Sequence, residues 1–301
     1  MTLSAAPRTS SEWRIPTLNG DSETAEKSLT GRIFNIQRFS LNDGQGIRTM
    51  VFFKGCPHRC PWCANPESMS PRIQTIKRQA KCLNCRTCLQ DPQECPSGAL
   101  EYVGEDITLA ALMSCLLKDE VFFRSSGGGI TLSGGEVLMQ PVFARQLLLE
   151  LQSLGIHTAI ETAGDVPQDH LLSVVDHCDQ VLFDFKIMDA TLARTVLNMN
   201  QPRVLENFRA LATRDVKLLP RVPLIPGYTL AQENLRQILD FLKPFNLKEI
   251  HLLPFHKYGE AKYPLLGKTY SMHKTPVPDA ITLVPFREMA ESEGYTVTLG
   301  G

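Results

Sequence analysis

The chain has 301 residues, of which 43% are hydrophobic and 21% are charged, and its net charge is −1 at pH 7. This composition is that of a globular protein with room for one large domain and a sizeable core. The near-zero charge gives no support to binding of nucleic acid or of an anionic membrane, and no apolar run approaches the roughly 20 residues that span a bilayer.

Residues 1–29 are rich in Ser, Thr, Pro and Glu and show no periodicity, which predicts a flexible N-terminal tail. They also lack the apolar segment of a signal peptide. A turn at 42–46 precedes the apolar run Thr49–Phe53, which predicts a strand covered on both faces. Asp43 lies in this glycine-rich turn, where an aspartate often serves only to form the turn. The strand leads directly into Cys56.

The run GCPHRCPWCANPES, which begins at Gly55, contains three cysteines in the spacing C-x3-C-x2-C, namely Cys56, Cys60 and Cys63. Three thiolates this close can bind one 4Fe–4S cluster and leave its fourth iron without a protein ligand. An open metal position is a place where a small molecule coordinates. Zinc is the alternative, although zinc ordinarily takes four ligands with cysteines paired as C-x2–4-C.

A second cysteine-rich segment, which we place at residues 73–104, contains Cys82, Cys85, Cys88 and Cys95. Its spacing, with a proline after the last cysteine, is similar to that of a bacterial ferredoxin, except that six residues instead of three separate the last two cysteines. We predict a ferredoxin-like insert in which all four thiolates bind one closed 4Fe–4S cluster. Zinc bound by the same four cysteines is the alternative.

Seven of the nine cysteines therefore lie in two tight clusters, and the other two, Cys115 and Cys178, stand alone in apolar surroundings. Clusters of this kind in a chain without an export signal favour metal binding over disulfides and indicate the cytoplasm. We interpret the two isolated cysteines as buried small apolar residues.

The remaining chain alternates strand-like and helix-like segments, which predicts a β/α architecture. The predicted strands are Gly129–Leu132, His157–Ile160, Val181–Phe183, Val216–Leu219, Ile250–Leu253 and Thr296–Leu299. The predicted helices are Pro141–Leu154, Pro167–Val175, Val204–Thr213, Leu230–Leu242 and Asp279–Glu293. About six β/α units are fewer than a closed eightfold barrel requires, so we predict an open partial barrel over residues 30–301.

Polar residues follow the predicted strands just beyond their C-terminal ends: Cys56, Glu136, Glu161, Asp184, Arg221 and His256. In parallel β/α barrels this rim is where ligands bind. The pattern therefore predicts a ligand site at the rim. No serine or cysteine nucleophile has a histidine partner in the order or spacing of known hydrolases.

The cysteine triad with Trp62 resembles the signature of radical S-adenosylmethionine (SAM) enzymes. The motifs DGQGIR, the triad, TLSGGE, ETAG, DFK, RVPLIPGY and LLPFHKYG occur in that order. From Gly31 to His256 the chain resembles the activating enzymes of glycyl radical enzymes. The resemblance implies a radical SAM partial barrel and an oxidoreductase that cleaves SAM reductively. The resulting 5′-deoxyadenosyl radical would generate a glycyl radical on a partner enzyme of the pyruvate formate-lyase type.

The resemblance also implies an electron donor, flavodoxin or ferredoxin, and we expect a monomer with no nucleic-acid or membrane partner. It assigns SAM binding to Trp62, Cys63, Ala64, Gly135, Asp184, Phe185, Lys186 and His256. Asp184 and Lys186 stand at alternate positions of one strand end, so their side chains face the same way. The alternative for this pair is two ordinary charges at a strand end. The alternative for Ser133–Glu136 is a turn that requires glycine.

Further residues acquire candidate roles from the resemblance. Glu161, Thr162 and the carbonyl of Leu182 would help to hold a monovalent cation, with glutamate in place of the more frequent aspartate. Arg221 would contact SAM or the substrate peptide, and Asp43 occupies the counterpart of the family's DGPGIR turn. Two other functions stay open: a radical SAM enzyme for another peptide or small molecule, and a non-catalytic iron–sulfur electron carrier.

Overall fold

The computed structural model describes residues 29–85, 88 and 91–300. Its strands are β1 (Thr30–Ser40), β2 (Arg48–Phe53), β3 (Gln74–Lys77), β4 (Leu100–Val103), β5 (Glu105–Thr108), β6 (Gly129–Gly134), β7 (His157–Thr162), β8 (Gln180–Asp184), β9 (Lys217–Leu224), β10 (Glu249–Pro254) and β11 (Thr296–Leu299). Its α-helices of seven or more residues are α1 (Leu109–Leu116), α2 (Glu120–Ser126), α3 (Pro141–Ser153), α4 (Gln168–Val175), α5 (Gln201–Leu211), α6 (Gln232–Leu242) and α7 (Ala280–Ser292).

Nine of these strands form one sheet in the order β11-β10-β9-β8-β7-β6-β2-β1-β5. Strand β2 and strands β6 to β11 are parallel to one another, whereas β1 pairs antiparallel with both β2 and β5. The two edges, β11 and β5, do not pair with each other, so the barrel is open. Six helix-bearing crossovers join the parallel strands of the described chain, which confirms the predicted partial β/α barrel of about six units.

Local sequence explains where individual helices begin and end. Helix α3 has Pro141 at its first position, where the missing N–H costs nothing, and the chain after it turns at Gly155 with a φ of 66°. Helix α7 is capped by Asp279, whose carboxylate accepts a hydrogen bond from the Thr282 N–H at 2.8 Å.

The two faces of the sheet differ in chemistry because side chains alternate along each strand. One face carries apolar residues that pack under the helices, such as Val51, Leu132, Ile160, Val181, Phe183, Val222 and Leu252. A chain of aromatic rings extends this layer: the Phe208 ring lies 4.9 Å from both Phe183 and Phe185. The opposite face, inside the partial barrel, carries polar residues that include Ser133, Glu161, Asp184 and Arg221.

Strand ends and the first part of the domain differ from the sequence-based prediction. Glu161 lies within β7 and Arg221 within β9, not beyond them. The prediction stopped each strand where its apolar run stopped, but inward-facing polar residues that pair with one another allow the strand to continue. The sequence analysis also assigned no strand to β1 and no helices to α1 and α2.

The cysteine-rich segment begins and ends on an antiparallel hairpin of β3 and β4, which pairs Gln74 with Val103 and Lys77 with Leu100. The boundaries of the insert at residues 73 and 104 and its ferredoxin-like character stay predictions. The predicted tail, residues 1–29, lies outside the described residues except for Leu29, whose carbonyl accepts a hydrogen bond from the Leu109 N–H at 2.9 Å. No helix in the described residues is long and apolar enough to cross a membrane.

Candidate functional site

A cavity of about 210 Å³ lies at the C-terminal ends of β6, β7 and β8, beside the loop that follows β2. Eleven residues to which the sequence analysis gave a candidate role line it: Cys56, Cys60, Trp62, Cys63, Ala64, Gly135, Glu136, Glu161, Thr162, Asp184 and Lys186. The structure thus brings the cysteine triad, the glycine turn and the Asp184–Lys186 pair to one cavity, although they are far apart in sequence.

The loop after β2 that carries Cys56, Cys60 and Cys63, called the cysteine loop below, is fixed by the segment that follows β10. The Tyr263 hydroxyl donates to the Cys63 carbonyl at 3.0 Å, and the Lys262 ammonium donates to Asn65 Oδ1 at 2.8 Å. Gly259 lies so close that a Cβ there would stand 2.5 Å from the Ala64 carbonyl oxygen. The loop therefore rests on main chain that only glycine admits at this point.

The three thiols of the triad lie in surroundings that disfavour a free thiolate. Burial raises the pKa of the Cys63 thiol to about 12 and also raises the pKa of Cys56 and Cys60. Thiolates are the form that binds metal, so a cationic group would have to supply the missing stabilisation. Three partly buried thiols around one cavity fit an iron–sulfur cluster in this respect.

No group of three or more His, Cys, Asp or Glu side chains among residues 29–85, 88 and 91–300 is arranged to hold a single metal ion. In a 4Fe–4S cluster each thiolate binds a different iron, so its ligands need not converge on one point.

The glycine turn after β6 brings two strand ends together. Gly134 has a φ of 115°, and a Cβ on Gly135 would stand 2.3 Å from the Gly55 carbonyl oxygen. The Gly135 N–H donates to the Phe53 carbonyl at 2.9 Å. Both glycines are therefore required for the main chain of the turn to border the cavity next to the cysteine loop.

Glu136 connects this turn to the end of β7. Its carboxylate accepts hydrogen bonds from the Thr162 hydroxyl at 2.8 Å and from the Ala163 N–H at 3.1 Å. Burial raises the pKa of this carboxyl group. The Thr162 hydroxyl also accepts a hydrogen bond from the Gly164 N–H at 2.9 Å. Both groups at this edge of the cavity are thus already hydrogen-bonded within the protein.

A buried ion network crosses the inside of the barrel. Arg221 Nη1 lies 2.6 Å from Glu161 Oε1, and Arg221 Nε lies 2.8 Å from Asp184 Oδ1. The other Asp184 oxygen lies 3.0 Å from the Lys186 ammonium, and the Ser133 hydroxyl donates to the other Glu161 oxygen. Three charges on adjacent strands and Lys186, just beyond β8, therefore satisfy one another inside the barrel.

The charges in this network set its protonation state. Burial works to raise the pKa of Asp184, but Arg221 and Lys186 outweigh it and hold that pKa below its usual range. Burial works to lower the pKa of Lys186, and the charge of Asp184 raises it above its usual value. Burial raises the pKa of Glu161, and the charge of Arg221 offsets part of the rise. Asp184 and Lys186 accordingly face the cavity as an anion and a cation.

Apart from the second cysteine set, five candidate residues do not line this cavity: Asp43, Leu182, Phe185, Arg221 and His256. His256 is exposed beyond β10 and stacks on Tyr258 at 4.2 Å between ring centroids. The ring of Phe185 is buried in the aromatic layer, which leaves its main chain as the part available to a ligand. The main-chain oxygen of Asp43 accepts a hydrogen bond from the Thr131 hydroxyl at 2.8 Å. Binding roles for these residues stay predictions.

Two side-chain contacts at the site were not predicted from the sequence. Ser133 holds Glu161, and its inward position follows from alternation with Thr131 along β6, so the strand pattern contained a signal for it. His58 and Asp165 form a buried pair although they are 107 positions apart, and no local pattern connects them.

The second cysteine set lies on and beside the β3–β4 hairpin. Lys77 Nζ lies 3.9 Å from Cys88 Sγ. Main-chain hydrogen bonding from Leu100 and the Ser97 hydroxyl lower the pKa of Cys95 to about 7. The surroundings of Cys95 thus favour the thiolate, unlike those of the triad.

Comparison with known proteins gives consistent matches. Residues 50–242 match the model of the Radical SAM superfamily. The chain is 62% identical over 270 residues to the pyruvate formate-lyase 2-activating enzyme of Escherichia coli (strain K12), covering 90% of this chain and 92% of that protein. It is 35% identical over 277 residues to the choline trimethylamine-lyase activating enzyme of Oleidesulfovibrio alaskensis, covering 81% and 89%.

Among solved structures, Streptococcus suis SuiB bound to precursor peptide SuiA matches with a TM-score of 0.54 and 12% identity, covering 97% of this chain and 57% of that chain. At this identity the match shows a shared fold alone.

We expect Arg221→Met to lower the free energy of unfolding by about 3–5 kcal/mol near neutral pH, because two buried carboxylates lose their shared cation. Each carboxyl group then has a raised pKa, so the folded variant binds more protons than the unfolded chain, and acid stabilises it. The deficit relative to the parent should therefore shrink between about pH 8 and about pH 5.

Anaerobic urea titrations at several pH values measure this deficit. Arg236→Met is the matched control, since it removes an exposed ion pair with Glu233 on α6. It should change little at any pH. A deficit in Arg221→Met that is independent of pH would contradict the role of the carboxylates.

Proposed function

The chain belongs to the radical SAM superfamily and, within it, to the activating enzymes of glycyl radical enzymes, and we propose that it installs a glycyl radical on a partner enzyme of the pyruvate formate-lyase type. The observation that carries this proposal is the shared cavity of the cysteine triad, the glycine turn and the Asp184–Lys186 pair. When bound, a reduced 4Fe–4S cluster and SAM supply one-electron cleavage of SAM to methionine and a 5′-deoxyadenosyl radical, which takes a hydrogen atom from the partner's glycine.

Cys56, Cys60 and Cys63 would hold three of the four irons of the cluster. They line the same cavity as the glycine turn, and with three protein ligands such a cluster would keep one iron open to a small molecule. A site with an open iron differs from that of a simple electron carrier, which needs four protein ligands. The open triad therefore supports an enzyme over a non-catalytic iron–sulfur protein.

The SAM site would be built around complementary charges. The main chain at Gly135 would meet the amino group of the methionyl part, and Lys186 and Asp184 offer a donor and an acceptor to the polar groups of SAM. Trp62 and Ala64 would contact it from the cysteine loop, together with Cys63, the main chain of Phe185 and, from beyond β10, His256.

A monovalent cation near Glu161, Thr162 and the carbonyl of Leu182 is part of the same proposal. Arg221 already pairs with both Glu161 and Asp184, so a cation would share these carboxylates with the guanidinium group. Arg221 then acts from behind the cavity by holding both carboxylates in place.

The partner is proposed from the curated relatives, which are named as activating enzymes of pyruvate formate-lyase 2 and of choline trimethylamine-lyase. Flavodoxin or ferredoxin is the proposed electron donor, and we propose a cytoplasmic monomer. The second cysteine set, Cys82, Cys85, Cys88 and Cys95, would hold a closed 4Fe–4S cluster whose role is electron passage or stability of the insert.

We expect the parent protein, with SAM and a reductant, to produce a glycyl radical signal on a glycyl radical enzyme of the pyruvate formate-lyase type. Cys60→Ala should produce none, because it removes one of three ligands of the open cluster. Electron paramagnetic resonance of the partner after anaerobic incubation measures this. Cys178→Ala, which changes a buried cysteine outside both sets, is the control and should behave as the parent. SAM cleavage without any radical on such partners would favour another substrate.

Lys186→Ala should weaken SAM binding by roughly tenfold to a hundredfold, since a charge-assisted hydrogen bond contributes about 1.5–3 kcal/mol. The cluster should be retained, because no cluster ligand is changed. Titration of the reduced cluster's paramagnetic resonance spectrum with SAM measures the affinity. Lys217→Ala, at the opposite end of the barrel, is the control. Unchanged SAM affinity together with lost partner activation would contradict SAM binding by Lys186 and would indicate that Lys186 contacts the substrate instead.

Anaerobic reconstitution should yield about eight irons per chain in the parent and about four in Cys85→Ala, as expected for two four-iron clusters. Cys85→Ala should still cleave SAM, because the open triad is intact. Iron analysis and methionine release measure the two outcomes. Stable zinc at the second set in the parent protein would contradict a second cluster and leave the triad unaffected.

A further inference from the structure

A second cavity, of about 490 Å³, lies against the cysteine loop. Cys56, His58 and Cys60 line both this cavity and the 210 Å³ cavity, so the loop is a wall that the two share. The glycine turn and the Asp184–Lys186 pair line only the smaller cavity. The larger cavity therefore reaches two proposed cluster ligands without passing through the proposed SAM site.

Two exposed cations line the larger cavity: Arg59, from the cysteine loop, and Lys268, from the segment after β10. Within the described residues neither side chain forms an ion pair, and the Lys268 ammonium lies 3.9 Å from the Met69 sulfur. The lining of the cavity, all of it in the described part of the chain, contains no acidic residue. The two cations therefore give this part of the surface a positive charge that the lining does not neutralise.

Main-chain hydrogen bonds hold the walls of this cavity in a fixed arrangement. The Arg59 N–H donates to the Leu197 carbonyl at 3.0 Å. From the other wall, the Ser271 hydroxyl donates to the Pro61 carbonyl at 3.3 Å. A partner that docks here would not have to order these walls, which lowers the free-energy cost of binding.

The position of the two cations matters because the chain as a whole has a net charge of only −1, which would not attract an acidic protein. Unpaired cations beside Cys56 and Cys60 would attract an acidic surface to this one place, next to the proposed cluster. Contacts between electron-carrying proteins are small and transient. A fixed cavity with two cations matches a partner of that kind.

We propose that the 490 Å³ cavity is the place where an acidic one-electron carrier protein docks and reduces the triad cluster. The inference rests on the proposed function, since it requires a cluster at the triad, and it adds the docking surface and a direct route that bypasses the second cysteine set. One electron leaves the reduced carrier and enters the cluster, and no bond forms or breaks. The smaller cavity stays free for SAM and the partner's glycine during the transfer.

The sharpest test reverses both charges in Arg59→Glu/Lys268→Glu and measures the affinity for oxidised flavodoxin, an acidic carrier, by anaerobic calorimetry. At about 0.01 M salt the affinity should fall about tenfold or more, because two attractions become repulsions. The neutral variant Arg59→Gln/Lys268→Gln should lose less. Both differences should shrink at about 0.1 M salt, where the screening length falls from about 30 Å to about 10 Å.

The second measurement is the initial rate of cluster reduction with SAM present, followed by paramagnetic resonance after rapid freezing. Reduced flavodoxin below saturation should reduce the cluster of the double Glu variant about tenfold more slowly than that of the parent. Photoexcited deazaflavin, a small uncharged reductant that needs no docking surface, should reduce both at rates within about twofold.

Lys217→Glu/Lys248→Glu is the matched control. It makes the same change in net charge with two exposed residues at the opposite end of the barrel, where β9 and β10 begin. Its affinity for flavodoxin and its rate of reduction should stay within about twofold of the parent.

Parental affinity in both the Glu and the Gln double variants would overturn the inference. An equal loss in the control would overturn it too, since net charge alone would then explain the effect, and so would an equal loss of reduction by deazaflavin. Loss of reduction by flavodoxin in Cys85→Ala, with parental rates in Arg59→Glu/Lys268→Glu, would move electron entry to the second cysteine set. Absence of any SAM-responsive cluster that deazaflavin can reduce in the parent would instead overturn the proposed function.

Discussion

Arg221 is the charge on which the inside of this partial barrel depends. Its guanidinium bridges Glu161 on β7 and Asp184 on β8, so three adjacent strands are joined across their inner face. An apolar interior would give no polar surface to a ligand, and two carboxylates without a cation could not both stay ionised. With Arg221 in place, Asp184 stays anionic and in turn holds Lys186 at the edge of the cavity.

The cysteine loop shows how an irregular segment is made rigid beside such a site. It is fixed on one side by Tyr263 and Gly259, which follow β10, and on the other by the His58–Asp165 pair. Gly135 closes it from a third direction, at a contact that no larger residue would permit. The loops at a barrel rim are not held by strand pairing. Residues of the site that lie on such loops are therefore held by partners from distant elements.

The two cysteine sets differ in their surroundings as well as in their spacing. Burial raises the pKa of all three triad thiols, whereas main-chain and Ser97 hydrogen bonds lower the pKa of Cys95 on the hairpin. All three triad cysteines are partly buried, whereas Cys85 and Cys88 of the second set are exposed, a setting that suits electron entry or structure.

The sequence by itself determined the class of fold and the chemical groups of the site. Alternating apolar segments predicted the β/α barrel, and the spacing of Cys56, Cys60 and Cys63 predicted an open cluster, because both signals are local. Local patterns also placed Asp184 and Lys186 on one side of a strand end. Strand ends at Glu161 and Arg221 were misplaced, since their continuation depends on ion pairs between strands. Only the tertiary structure decided that Arg221 pairs with both carboxylates, that His256 lies outside the cavity, and that His58 meets Asp165. Such contacts join residues many positions apart, and they exist only once the packed strands fix the distances between them.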